Sequence, residues 1–349
     1  MSSVGTILVK CVCFFAVGWV SVRLFNTCTF ILSNVCTRIA RAVRNRKVLR
    51  EIRGKWAIVT GATDGIGLGI AKELAKQQVN LILVSRSEEK LKNVQKELRD
   101  KVKVEITVFD FTEDADFAKL LGKHKEKEVA LLVNNVAINS HRPLMYMEHT
   151  EKEEKDILTV NIINTLKITR EYMGWEKSPK NKRYVLVVGS MLGMFPTAYQ
   201  QMYSGTKAFL QIWTESVNME MKENYHVEML MTGLVCSKLS GARTPGLFTP
   251  TSEYYGKCCV HSFGLTRVTY PFFPHDLLAF GSTLISRTLL ACVFKYINKV
   301  LRKRKQMKDK QRTEEEKGEK GEKEEKGKKK EKEEKEEKEE GKKQEKKNK

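Results

Sequence analysis

Tyr203 and Lys207 lie four residues apart in the run Tyr203-Ser204-Gly205-Thr206-Lys207. On a helix that spacing puts both side chains on one face. A phenol titrates at about 10 in water, and a neighbouring ammonium favours its ionised form and lowers that value. Such a pair can donate a proton to a carbonyl oxygen and, in reverse, accept one. Alone the spacing is weak, since a surface pair accounts for it equally well. Ser190, at the end of an apolar run, and Asn161, in a preceding helical stretch, give it company.

A second group suits a phosphate. Thr60-Gly61-Ala62-Thr63-Asp64-Gly65-Ile66-Gly67 follows the apolar run WAIVT. Gly61 permits a tight turn, Gly65 lets the backbone approach a pyrophosphate, and Gly67 lets the next helix pack closely. Thr63, Asp64 and Ile66 share the turn and are counted with it as cofactor-binding. The next apolar run ends in Ser85-Arg86. A site for NAD places an acidic residue there to accept the ribose hydroxyls. Arg86 instead suits a 2′-phosphate through a charge-assisted fork, so NADP(H) is favoured; the alternative is a solvated surface arginine. Asp110, after the third run, either meets adenine or caps the following helix.

The elements that must position these groups alternate. Strands are expected at 56–60, 80–84, 104–110, 129–135, 184–190 and 226–232. Helices are expected at 66–78, 87–99, about 113–125, 151–174 and 203–223. Short apolar strands alternating with helices predict an α/β fold, a Rossmann-type doubly wound parallel sheet covered on both faces. Ligands of such sheets bind beyond the carboxyl ends of the strands.

TGATDGIG (60–67), NNVA (134–137), Asn161, Ser190 and YSGTK (203–207), in that order, resemble the short-chain dehydrogenase/reductase family over residues 52–235. The resemblance implies that Tyr203 is the acid/base. It implies that Lys207 depresses the tyrosine pKa and holds the nicotinamide ribose. Ser190 would donate to the substrate carbonyl, Asn161 would hold a relay water, and Asn135 and Val235 would contact the cofactor. Ala137 and Thr232 stand where the family usually has Gly and Pro. An N-terminal anchor, LVSRSEEKL and PHDL (274–277) resemble the microsomal branch of very-long-chain 3-oxoacyl-CoA reductases and 17β-hydroxysteroid dehydrogenases. That branch implies NADPH-dependent reduction of a long-chain 3-oxoacyl-CoA in fatty-acid elongation. A steroid or other lipid-alcohol dehydrogenase is the alternative, and a non-catalytic membrane scaffold a third reading. Other elongation proteins and a homodimer are partners compatible with the branch.

The ends differ from the middle, and the chain divides as 1–50, 51–300 and 301–349. The apolar core from Cys11 to Val22, between Lys10 and Arg23, reads as a transmembrane anchor, as a single span or a hairpin; a cleaved signal peptide is the weaker reading. Arg38, Arg41, Arg44, Arg46, Lys47 and Arg50 follow it. That excess marks the cytosolic side for the folded domain. The net charge of +20 comes without any nucleic-acid-binding signature, so lipid headgroups or phosphorylated cofactors are the better partners. Eight cysteines show no CxxC pair and no metal spacing, so no metal is expected.

Residues 238–275, rich in Tyr and Phe, are expected to form a substrate lid, with core packing an equal alternative. Residues 277–300 are apolar, but Arg287 would cost about 2.5–3.5 kcal/mol inside a lipid span. A helix packed on the domain or lying in the membrane interface is preferred. Residues 301–349 carry 22 basic and 16 acidic residues and read as a disordered, solvated tail. Lys346 and Lys347 resemble a dilysine endoplasmic-reticulum retrieval signal, a chance match in so lysine-rich a tail being the alternative.

Overall fold

The computed structural model describes residues 3–175, 182–221, 224–307, 309 and 311. Seven strands form one parallel sheet in the order β3-β2-β1-β4-β5-β6-β7. They are β1 (Trp56–Thr60), β2 (Asn80–Ser85), β3 (Val104–Val108), β4 (Val129–Asn134), β5 (Arg183–Val188), β6 (Tyr225–Leu230) and β7 (Val268–Thr269). The order reverses direction between β1 and β4, which opens a crevice at the strand ends. Each inner strand is buried on both faces. In β1, Ala57 and Val59 join one core while Ile58 joins the other. Continuous apolar runs, rather than alternation, are what a parallel sheet covered by helices requires.

One face carries α1 (Ser3–Ile52), α2 (Gly65–Lys76) and α8 (Ser252–Val260); the other carries α6 (Asn164–Met173) and α7 (Gln201–Glu220). Helices α3 (Glu88–Leu98), α4 (Phe117–Leu121), α5 (Glu151–Leu158) and α9 (Phe273–Thr283) complete the set named here.

Four expectations change. The helix at 151–174 is interrupted by a π-helical turn at Thr159–Ile163. The helix near 113–125 shrinks to α4 and a 3₁₀ turn at Gly122–His124, because Asp110 accepts from the Thr112 N–H and hydroxyl and turns the chain first. The N-terminal segment is one unbroken helix, which removes the hairpin, and it does not stop at 50. Val48, Leu49 and Ile52 are in the sheet core, and the buried Asn45 amide donates to the Val260 and Phe263 carbonyls. Fifty residues of helix reach about 75 Å, so one element can both cross a bilayer and dock. Its most apolar window is wholly unburied, and it is the one helix among the described residues long and apolar enough to span a membrane.

Finally, the segment 238–275 expected as a lid is divided, and only its stretch around 255–264 belongs to the core. Tyr255 and Phe263 are fully buried, and α8 packs so tightly on α2 that a Cβ on Gly256 would meet the Gly69 carbonyl carbon at 2.3 Å. Tyr254 and Phe273 are exposed, and residues 238–250 and 261–267 stay outside helix and strand.

The apolar stretch at 277–300 is divided: α9 ends at Thr283 and residues 287–295 are helical, with Arg287 exposed. Tyr296–Lys349 forms a separate unit. Its residues 296–307 are helical, including the first seven assigned to the disordered tail. Beyond 307 only 309 and 311 of the Lys/Glu tail are described, and the terminal lysines lie outside the described residues.

Candidate active site

Thr60, at the end of β1, organises the turn that follows. Its hydroxyl donates to the Val133 carbonyl at 3.1 Å and accepts the Asn135 and Val136 N–H groups at 3.0 and 3.1 Å. The Asn135 amide donates to the Thr60 carbonyl at 2.9 Å and the Gly61 carbonyl at 3.3 Å. Asn135 therefore braces the turn from behind. Gly61 and Gly65 have φ of +63° and +56°, the left-handed region open to glycine. A Cβ on Gly67 would meet the Gly61 carbonyl oxygen at 2.4 Å. Asp64 caps α2 by accepting the Gly65 N–H at 2.8 Å and pairs with Lys238 at 2.6 Å. The turn is thus a backbone cradle at a helix N-terminus, an arrangement that could hold a phosphate.

At the end of β2 the Thr63 and Ser85 hydroxyls are 3.0 Å apart, and Arg86 is exposed with no ion pair among the described residues. Beyond β3, one Asp110 oxygen is committed to Thr112. Asp110 thus closes a turn rather than capping the next helix, whose cap is Asp116, and adenine would meet only its other oxygen. Val235, in the loop after β6, is buried, and Ser237 lies across the cradle, with its Cβ 3.6 Å from where a Gly65 Cβ would stand.

The four expected catalytic residues converge. Ser190, in extended conformation after β5, accepts the Leu192 N–H at 3.2 Å and hydrogen-bonds the Tyr203 phenol. Tyr203 and Lys207 share the buried face of α7, the Lys207 ammonium 5.7 Å from the Tyr203 ring centroid. Asn161 sits inside the π-helical turn, a device frequent at functional sites. Its side chain accepts the Ile138 N–H at 2.9 Å and donates to the Ile138 carbonyl at 3.0 Å. It also donates to the Thr206 hydroxyl at 3.1 Å, and Thr206 donates to the Tyr203 carbonyl at 2.8 Å. Asn161 thus fixes the loop after β4 against the start of α7.

The electrostatics differ from the expected acidification. Burial pushes the Tyr203 phenol up to about 12, with the Ser190 hydrogen bond opposing it. Burial pulls the Lys207 ammonium down to about 8. The ammonium donates to the Val188 carbonyl at 2.8 Å. Tyr203 is therefore held as a neutral acid at pH 7, the state that donates a proton.

Sequence reasoning missed three contributors. Thr60 acts through hydrogen bonds to distant backbone and Thr206 through the distant Asn161 amide, which no spacing reveals. His275 appeared only within PHDL; its ring is what a Gly233 Cβ would strike at 2.6 Å.

A family model described as short chain dehydrogenase matches residues 55–246. The very-long-chain 3-oxoacyl-CoA reductase of Scheffersomyces stipitis is 34% identical over 76% of this chain and 82% of its own length. The protein of that name from Mus musculus is 30% identical over 77% of this chain and 88% of its own. Among solved structures, a 7β-hydroxysteroid dehydrogenase superposes with a TM-score of 0.64 at 20% identity, over 70% of this chain and 98% of that one. A 3-oxoacyl (acyl-carrier-protein) reductase from Agrobacterium tumefaciens, with NADP bound, gives 0.56 at 20% identity, over 63% and 93%. These superpositions establish the fold.

Proposed function

This chain belongs to the short-chain dehydrogenase family, and from that premise we propose that it reduces the 3-keto group of long-chain 3-oxoacyl-CoA with NADPH. The reaction takes place at the endoplasmic-reticulum membrane, with the folded domain on the cytosolic side and other elongation proteins as neighbours. The observation that carries the reading is the Tyr203 phenol buried beside Ser190 at the crevice of the sheet. Relatives named very-long-chain 3-oxoacyl-CoA reductase run along about three quarters of the chain and support the substrate class. The apolar α1 and its following arginines support the membrane and the orientation.

Gly61, Gly65 and Gly67 would hold the pyrophosphate, Arg86 the 2′-phosphate, and Lys207 the nicotinamide ribose. Once bound, the nicotinamide supplies a hydride to the carbonyl carbon. Ser190 orients the carbonyl oxygen by donating to it. Tyr203 donates its proton to that oxygen as negative charge develops there. Asn161, by gripping both Ile138 and Thr206, keeps the phenol in register with the serine.

The test is a panel of 3-oxoacyl-CoA chain lengths and 17-ketosteroids offered to the purified full-length protein with NADPH or NADH. The expected result is NADPH oxidation with the long acyl-CoAs, and much slower turnover with NADH. Turnover of ketosteroids alone would move the assignment to a steroid dehydrogenase. No turnover with any carbonyl would remove the reductase reading.

A further inference from the structure

His275 opens α9 on a Phe273-Pro274 start, and its ring is fully buried. The Gly233 N–H donates to Nδ1 at 3.1 Å, so Nδ1 carries no proton. Nε2 lies 3.1 Å from the Phe248 carbonyl and 3.3 Å from the Leu234 carbonyl, both acceptors, so the proton is on Nε2. One neutral imidazole thereby grips both ends of the loop that carries Val235, Ser237 and Lys238. Burial holds its pKa below the ordinary value, which preserves that neutral tautomer. The root of the same loop is pinned from α8, where the Tyr255 hydroxyl bonds Thr232 and the Met231 carbonyl. The loop in turn reaches the phosphate cradle through Lys238 and Asp64.

The next residue faces the other way. The Asp276 carboxylate accepts from the Arg38 guanidinium at 2.7 Å and the Asn34 amide at 2.6 Å, both on α1. Arg38 also lies over the Phe273 ring at 4.8 Å, and Phe30 stacks on Phe280 at 3.8 Å. Two adjacent residues therefore hold the apolar helix on one side and the cofactor-facing loop on the other.

We propose that His275 and Asp276 form a positioning link, through which the seating of α1 sets the loop over the dinucleotide and so the affinity for NADPH. The link rests on the reading of that loop as the cover of the cofactor site. It adds a coupling between anchor and site that the reaction itself does not require. It also explains Gly233, since any side chain there would displace the imidazole.

The test uses the full-length protein in lipid nanodiscs and measures NADPH dissociation constants by fluorescence, beside kcat at saturating NADPH and amide exchange across 233–248. His275→Leu should weaken NADPH about tenfold or more, the equivalent of one to two lost hydrogen bonds. Exchange of the loop amides should quicken while kcat at saturation changes little. His275→Asn, whose amide keeps a donor and an acceptor, should recover part of the affinity. Arg38→Met, at a side chain only 28% exposed and remote from the cradle, should weaken NADPH about threefold and quicken the same amides. Unchanged NADPH affinity in Arg38→Met overturns the link even if His275→Leu fails to fold. A loss confined to kcat or to folding yield, with affinity intact, also overturns it. A parent protein that binds no dinucleotide is a different result, and it removes the cofactor reading beneath the link.

Discussion

Two buried polar clusters, one on strand β6 and one on helix α7 beside the end of β5, are satisfied to different degrees. Glu228, within β6, is fully buried. One of its oxygens accepts from His226 and from the Gly264 N–H, each at 2.7 Å. The other accepts from Thr269, whose hydroxyl oxygen accepts the Thr266 proton in turn. Both oxygens of that carboxylate are hydrogen-bonded. Lys207 is almost as buried, yet its three N–H donors meet a single acceptor among the described residues, the Val188 carbonyl. Tyr203 beside it shares only the Ser190 hydroxyl. A buried polar group costs free energy unless paired, so a filled network stabilises a fold while an underfilled one keeps capacity for something else. The first cluster ties β6 to the Gly264 turn and β7. The second waits at the crevice with donors to spare.

The largest effect expected from this contrast is catalytic. Tyr203→Phe removes the donated proton and should lower kcat by about 10²–10⁴. Its melting temperature should match that of the parent, because only the Ser190 bond is lost. A variant that kept its turnover but melted early would place Tyr203 with Glu228 and break the comparison.

Glu228→Leu is the mirror experiment. It leaves the Gly264 N–H, His226 and two threonines facing an apolar group, a loss of about 3 kcal/mol for a buried charged hydrogen-bond network. Thermal or denaturant unfolding should show it. Turnover per folded molecule, measured well below the melting transition, should equal that of the parent. A selective loss of turnover would mean that the filled network also serves the site.

The sequence reading reached the second cluster and not the first, for a physical reason. Tyr203, Lys207 and Ser190 are set by local spacing on one helix and at one strand end, and Gly61, Gly65 and Gly67 by a single turn. Glu228 and His226 sit one strand period apart, but their partners at 264, 266 and 269 arrive only through the β6–β7 connection. The π-helical turn is hidden for the same reason. It depends on Asn161 gripping Ile138, which lies in the loop after β4. Tyr255 and Phe263 were read as lid or core with equal weight, since an aromatic side chain fits either place. Only the contact of α8 with α2 decides it. The expected acidification of Tyr203 failed because spacing reports which charges are near. It does not report how deeply they are buried, and here burial raises the phenol, opposed by Ser190 and not by the ammonium.

Lys207→Met gives a smaller effect on stability than Glu228→Leu and separates the two clusters by sign. Burial lowers the folded-state pKa of Lys207 from 10.5 to about 8. The folded chain therefore holds its proton less tightly than the unfolded chain does. Below pH 8 both states are protonated and the full penalty applies, about 3 kcal/mol for a depression of this size. Between pH 8 and 10.5 the unfolded state binds more protons, so this group's contribution to stability rises with pH. Methionine fills a similar volume without charge, at the cost of one hydrogen bond to Val188, worth about 1 kcal/mol net. The variant should thus be more stable than the parent at pH 7 by about 1–2 kcal/mol, and the gain should shrink as pH climbs past 8. Reduction should be nearly abolished in it, and in the parent should fade over the same pH range as the ammonium discharges. Paired melts at pH 7 and pH 9.5 read the difference. If methionine instead destabilises at pH 7, Lys207 is as well satisfied as Glu228, and spare hydrogen-bonding capacity no longer distinguishes the active site from the core.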